Sequence, residues 1–124
     1  MHIGYAIVFV TNMAEATAFY RDVAALPLRF ESPGWTEFAT TGATLALHAT
    51  KTPPMSRPAG LEPAGSVRIG WSVPDLDVYH AQLCDHKVPC LQEPKEQFGV
   101  RIAMYEGPDG LAFSVSEARS AEDT

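Results

Sequence analysis

Positive charge is scarce in this sequence: 9 Lys+Arg stand against 15 Asp+Glu, a formal net charge of −6. No basic cluster occurs, which argues against a nucleic-acid or anionic-membrane partner. Long apolar runs are missing too. No stretch approaches the roughly 20 apolar residues of a membrane span, and the first ten residues lack the charged start and extended apolar stretch of a secretory signal. Cysteine is limited to Cys84 and Cys90, which make no disulfide framework. The cytoplasm is therefore the expected compartment, with both cysteines free and buried as structural thiols. A chain of 124 residues has no room for a cofactor domain plus a substrate domain, nor for a large barrel. What it has is 46% hydrophobic and 19% charged residues, the composition of a single domain with a real core.

The first segment, Ile3–Val10, is β-branched and aromatic and reads as a buried strand. Asn12 follows as a helix N-cap, and Glu15 completes a variant of the capping box. The helix runs to about Ala25, where Leu26-Pro27 ends it, because the residue before proline avoids the α region. Strands are expected at Leu28–Glu31, Trp35–Thr40 and Thr44–Ala49, with Pro33-Gly34 and Thr41-Gly42-Ala43 as turns. The stretch 51–66 is proline-rich without apolar period and reads as a linker or semi-rigid arm. The pattern then restarts: a strand at Val67–Val73, a helix opened by Pro74-Asp75 and closed by Lys87-Val88-Pro89, and strands near Leu91–Glu93, Val100–Tyr105 and Ala112–Ser116. The tail from Glu117 is polar.

Both halves share the order βαβββ. Val10-Thr11-Asn12-Met13 lies over Val73-Pro74-Asp75-Leu76, and Gly42–His48 lies over Gly110–Ser116. Each half offers one sheet and one covering helix, so the halves are expected to combine as an internal duplication, module 1 over 3–50 and module 2 over 67–117, within one domain.

These residues resemble the vicinal oxygen chelate superfamily, which includes glyoxalase I, bleomycin-resistance proteins, fosfomycin-resistance transferases and extradiol dioxygenases. The segments that carry the likeness are Val10–Met13, Ala18–Asp22, Leu26–Leu28, Glu37-Phe38 with Thr41–His48, Phe98–Arg101 and Gly107–Gly110, spread over about residues 3–117. The resemblance implies an α+β fold of two βαβββ modules whose curved mixed sheets form an open half-barrel around a cleft, and a homodimer.

Strand alternation sorts the side chains independently of the family. Leu45 and Leu47 oppose Thr44, Ala46 and His48. Phe113 and Val115 oppose Ala112, Ser114 and Ser116. Val67, Ile69, Trp71 and Val73 oppose Arg68, Gly70 and Ser72, and Val100, Ile102 and Met104 oppose Arg101, Ala103 and Tyr105. In each strand the uniformly apolar face is expected to pack on a helix and the mixed face to line a cavity. By the repeat, Tyr5, Ile7 and Phe9 share the cavity side, while Phe38 turns to the core and leaves Trp35 and Glu37 with them. Trp71 reads as core.

Metal-dependent relatives of this resemblance use inward His and Glu at places that here hold Tyr5, Ala46, Arg68 and Ser114. Alanine has no donor, a guanidinium repels a cation, and neutral Tyr and Ser are poor ligands. His48 alone cannot hold zinc, which takes about four donors. No metal and no cofactor are therefore expected. The candidate ligand-binding residues are Tyr5, Trp35, Glu37, His48, Arg68, Phe98, Arg101, Tyr105 and Ser114. Aromatics would stack on a planar ligand. Arg68 would meet an anionic group or a protein carboxylate such as Glu37, and Arg101 either contacts ligand or braces the sheet or the Asp109 turn. Met55 and the proline-rich arm would supply a lid or a dimer contact. The function expected is metal-independent binding of a planar or amphipathic small molecule, after the manner of antibiotic-sequestering members. A metal-independent isomerase or lyase in which His48 or Glu37 moves a proton is the alternative, ahead of metal-dependent glyoxalase or dioxygenase chemistry.

Overall fold

The Asn12 side chain accepts the Glu15 backbone N–H at 3.0 Å, and Asp75 accepts that of Val78 at 3.1 Å, so both helices start at the expected caps. The computed structural model describes residues 1–54 and 63–118. The chain divides into two compact units, Met1–Met55 and Ser56–Thr124. Much of the proline-rich stretch, Met55 included, lies outside the described residues.

In the first unit, β1 (Tyr5–Val10) leads to α1 (Met13–Ala18), which continues as a wider π-helical turn over Phe19–Val23. Three strands follow, β2 (Leu28–Phe30), β3 (Trp35–Phe38) and β4 (Thr44–Ala49), in the sheet order β1-β4-β3-β2. The β1–β4 pair is parallel and the others antiparallel. The second unit repeats this plan with β5 (Ile69–Val73), α2 (Leu76–Asp85), β6 (Cys90–Gln97), β7 (Val100–Glu106) and β8 (Ala112–Glu117), in the order β5-β8-β7-β6. The architecture is α+β, two βαβββ modules with mixed sheets. The strand β6 is longer than the sequence indicates, because hairpin pairing with β7 carries it through Pro94 and Lys95 to Gln97.

The duplication reaches into the backbone of the helix ends. Ala25 (φ 65°) and Lys87 (φ 60°) each take the left-handed conformation just past a helix, each two residues before a proline. The next N–H folds back in each case, from Leu26 to the Tyr20 carbonyl at 2.9 Å and from Val88 to that of Leu83 at 3.0 Å. This is the usual way to satisfy the last helical carbonyls, ordinarily with glycine at the left-handed place.

The cores form where each helix lies on its sheet. In the first unit Val8, Val10, Ala16, Tyr20, Phe38, Leu45 and Leu47 are buried. Thr36, in register with Leu47, meets Thr17 of α1 through their hydroxyls at 3.4 Å. In the second unit Trp71 stacks on Phe113 with centroids 4.7 Å apart and donates its indole N–H to the Tyr79 hydroxyl at 3.1 Å. Trp71 is therefore core, as the alternation implies.

Glycine at position 25 or 87 removes the left-handed penalty of an L side chain. Ala25→Gly and Lys87→Gly are each expected to stabilise the protein by about 1 kcal/mol, measured as a rise in the urea midpoint. A fall at both positions contradicts the paired helix ends.

Candidate functional site

With one helix on each sheet, alternate side chains along a strand meet different surroundings. On β1, Val8 and Val10 are buried, whereas Tyr5, Ile7 and Phe9 are 53%, 47% and 60% exposed. These three oppose Thr44, Ala46 and His48 of β4 in register. Trp35 and Glu37 of β3 oppose His48 and Ala46 from the other side. The face away from α1 is thus an aromatic floor. The Tyr5 and Trp35 rings lie 6.2 Å apart, Trp35 and His48 6.0 Å, and Phe9 and His48 5.1 Å.

Two polar groups border this floor. The Glu37 carboxylate accepts the Trp35 indole N–H at 2.8 Å and the Arg29 guanidinium at 2.7 Å. Arg29, on β2, reaches across β3 and also donates to the Thr44 hydroxyl of β4 at 2.8 Å. The indole first and Arg29 second hold the Glu37 carboxyl below the ordinary glutamate range. An ionised, doubly occupied carboxylate is a poor base, so Glu37 positions Trp35 and Arg29 rather than moving a proton. His48 differs. Its Nδ1 lies 2.8 Å from the Ala49 carbonyl, which can only accept, so Nδ1 carries a proton, and in the neutral imidazole Nε2 is the acceptor.

Of the candidates read from the sequence, Tyr5, Trp35, Glu37 and His48 come together here. Arg68 and Ser114 belong to the second unit. Arg68 directly precedes β5 and is exposed, in phase with Gly70 and Ser72. Ser114 opposes Gly70, and any Cβ at that glycine would collide with the Ser114 hydroxyl. Phe98, 95% exposed, sits at the β6–β7 hairpin tip with φ 54°, ahead of Gly99 at φ 80°.

Two placements correct the alternation reading. Tyr105 is fully buried on the helix side, its hydroxyl 2.8 Å from His80 Nδ1 of α2, and burial raises its pKa. Arg101 also turns to α2, pairing with Asp77 at 2.8 Å and with Glu117 at 3.5 Å, and Glu117 in turn accepts the Leu76 N–H that opens the helix. Arg101 is thus a brace, on Asp77 and Glu117. It is Val100, Ile102 and Met104 that share the opposite face with Ser114 and Ser116. Polar tips reach the helix side because α2 supplies their partners, so polarity alone mis-sorts β7. The cysteines also depart from expectation: Cys84 and Cys90 are free and exposed, on the outer side of α2 and at the start of β6. Arg29 carries no sequence signal of its own. Only the sheet order, which sets β2 beside β3, reveals its reach.

The chain belongs to the Glyoxalase/Bleomycin resistance protein/Dioxygenase superfamily, whose family model matches residues 2–115. No curated relative matches the sequence. Similar solved structures include a glyoxalase/dioxygenase from Nostoc punctiforme, with TM-score 0.82 and 15% identity, covering 95% of this chain and 91% of that one. TnmS3, an antibiotic binding protein from Streptomyces sp. CB03234, is similar with TM-score 0.71 and 26% identity, covering 94% and 95%. TioX from Micromonospora sp. ML1 has TM-score 0.73 and 15% identity, covering 94% and 98%.

Metal chemistry in this superfamily needs donors that the corresponding places do not offer. Ala46, between Ile7 and Glu37 in register, has none, and Glu37 is already engaged by Arg29 and Trp35. Tyr5 in the first unit offers a hydroxyl, and in the second unit the corresponding places hold the guanidinium of Arg68 and the hydroxyl of Ser114. Among the described residues no three His, Cys, Asp or Glu side chains are grouped to hold an ion. The side chains at these places do not make a donor set for a divalent metal.

Because the Glu37 pKa is lower folded than unfolded, its contribution to stability is present above the ordinary 4.5 of glutamate and is lost as pH falls through the depressed folded value. An NMR titration of the Glu37 carboxyl is expected to give a midpoint below 4.5. Trp35→Phe, which removes the larger cause, is expected to raise that midpoint and to flatten the acid-side loss of thermal stability. An unchanged midpoint contradicts the indole–carboxylate bond.

Proposed function

We propose that this protein is a metal-independent small-molecule-binding protein that captures a planar or amphipathic compound on the aromatic floor of its first sheet, acting as a cytoplasmic homodimer. The observation that carries the reading is the floor itself. On the sheet face away from α1 Tyr5 packs against Trp35, and His48 stands between Trp35 and Phe9, with Ile7 beside them and half its surface exposed. Soluble proteins seldom leave such contiguous apolar area open without a use for it. A flat ligand gains area burial plus about 0.5–1.5 kcal/mol for each well-placed ring pair. The similarity to an antibiotic binding protein supports this reading, as does a donor set ill suited to a cation. The single free nitrogen of His48 favours a metal-independent isomerase or lyase as the second reading, with His48 rather than Glu37 as its base.

The test uses protein treated with a chelator and carrying Trp71→Phe, so that Trp35 is the one emitter. Titration with bleomycin, mitomycin C and other planar aromatic antibiotics is expected to quench Trp35 saturably for at least one compound. Trp35→Ala is expected to weaken that compound about tenfold or more in calorimetry, and added zinc is expected to change nothing. Binding that appears only with a divalent ion overturns the proposal. Chemical conversion of the compound that is lost in His48→Gln promotes the second reading.

A further inference from the structure

Among the described residues Arg29 keeps a spare donor and His48 a spare acceptor at the border of the floor, and their placement specifies more than flatness. Arg29 spends Nε on Glu37 and Nη2 on Glu37 and Thr44. Its Nη1 has no hydrogen-bond partner among the described residues, and the side chain is 46% exposed. The guanidinium charge is offset by Glu37, so Nη1 offers a charge-assisted donor without demanding a full anion. At the other end, His48 Nδ1 is committed to the Ala49 carbonyl, leaving Nε2 as an acceptor. Thr44, which anchors Arg29, and His48 stand four residues apart on β4, about 13 Å at ordinary strand rise. Beside them on the flanking strands lie Tyr5, in register with Thr44, and Trp35, in register with His48, their rings 6.2 Å apart.

We infer that the preferred ligand is a flat, fused-ring compound with a carbonyl-type acceptor at one end, received by Arg29 Nη1, and a hydroxyl or N–H donor at the other, received by His48 Nε2. This rests on the aromatic-floor reading and sharpens it into a polarity pattern. Arg29 and His48 set specificity, and the rings supply area. A two- or three-ring molecule with a hydrogen-bonding group at each end is of the order of that backbone spacing. A ligand inserted the other way round sets its carbonyl against Nε2, acceptor to acceptor, and leaves that end unsatisfied.

Three bicyclic probes separate the contributions. 7-Hydroxycoumarin has the carbonyl and the hydroxyl at opposite ends, 7-methoxycoumarin loses the donor, and 2-naphthol loses the carbonyl. Calorimetry on wild-type protein at neutral pH is expected to rank 7-hydroxycoumarin first, with each of the others weaker by about three- to tenfold. Arg29→Gln is expected to collapse the preference over 2-naphthol, and His48→Phe the preference over 7-methoxycoumarin. Each variant is accepted only if its circular dichroism matches wild type, and the wild-type ranking decides the matter if either variant fails to fold. Equal affinity for all three probes overturns the polarity pattern and leaves the aromatic floor standing. Failure of all three to bind overturns both. A preference for 2-naphthol overturns the roles given to Arg29 and His48.

Discussion

One helix can cover one face of a four-stranded sheet and no more. From that constraint follows the sorting of side chains in the first unit: Val8, Val10, Leu45 and Leu47 close against α1, and Tyr5, Ile7, Phe9, Trp35 and His48 are turned away from it. Hydrophobic burial holds the first set in place. The second set is equally dictated by register, because a one-residue slip of β1 against β4 would send Tyr5, Ile7 and Phe9 to the helix side and Val8 and Val10 away from it. The aromatic floor is thus a by-product of the same pairing that builds the core.

The polar fringe of that floor is held by a different force. Glu37 sits between an indole N–H and a guanidinium, and this engagement does three things. It orients Trp35, it draws Arg29 across β3 toward Thr44, and it keeps the carboxylate ionised and occupied. The chain belongs to a superfamily with glyoxalases and dioxygenases in its name, and the open face of its first sheet is made of rings and hydrogen-bonded polar groups.

Much of this was legible in the residues. The asparagine and aspartate caps, the turn residues and the repeat of βαβββ locate nearly every element, because each is a local signal with a local cause. The placement on this face was legible for His48 from alternation on β4, for Tyr5 from the repeat, and for Trp35 and Glu37 from Phe38 turning to the core on β3. Alternation failed on β7. There Arg101 and Tyr105 go to the helix side because Asp77 and His80 wait on α2 to satisfy them, and no reading of β7 alone contains α2. Arg29 was missed for the same reason: its role comes from β2 lying beside β3, which sheet order reveals and composition does not.

The most direct test of the central claim is a map of backbone amide shifts in uniformly labelled, metal-free protein as a saturating planar ligand is added. The account predicts that the largest changes fall on β1, β3 and β4 around Tyr5, Phe9, Trp35 and His48, with α2 little disturbed and no dependence on added divalent ions. Shifts centred away from that face, or absent until a divalent ion is supplied, would contradict it.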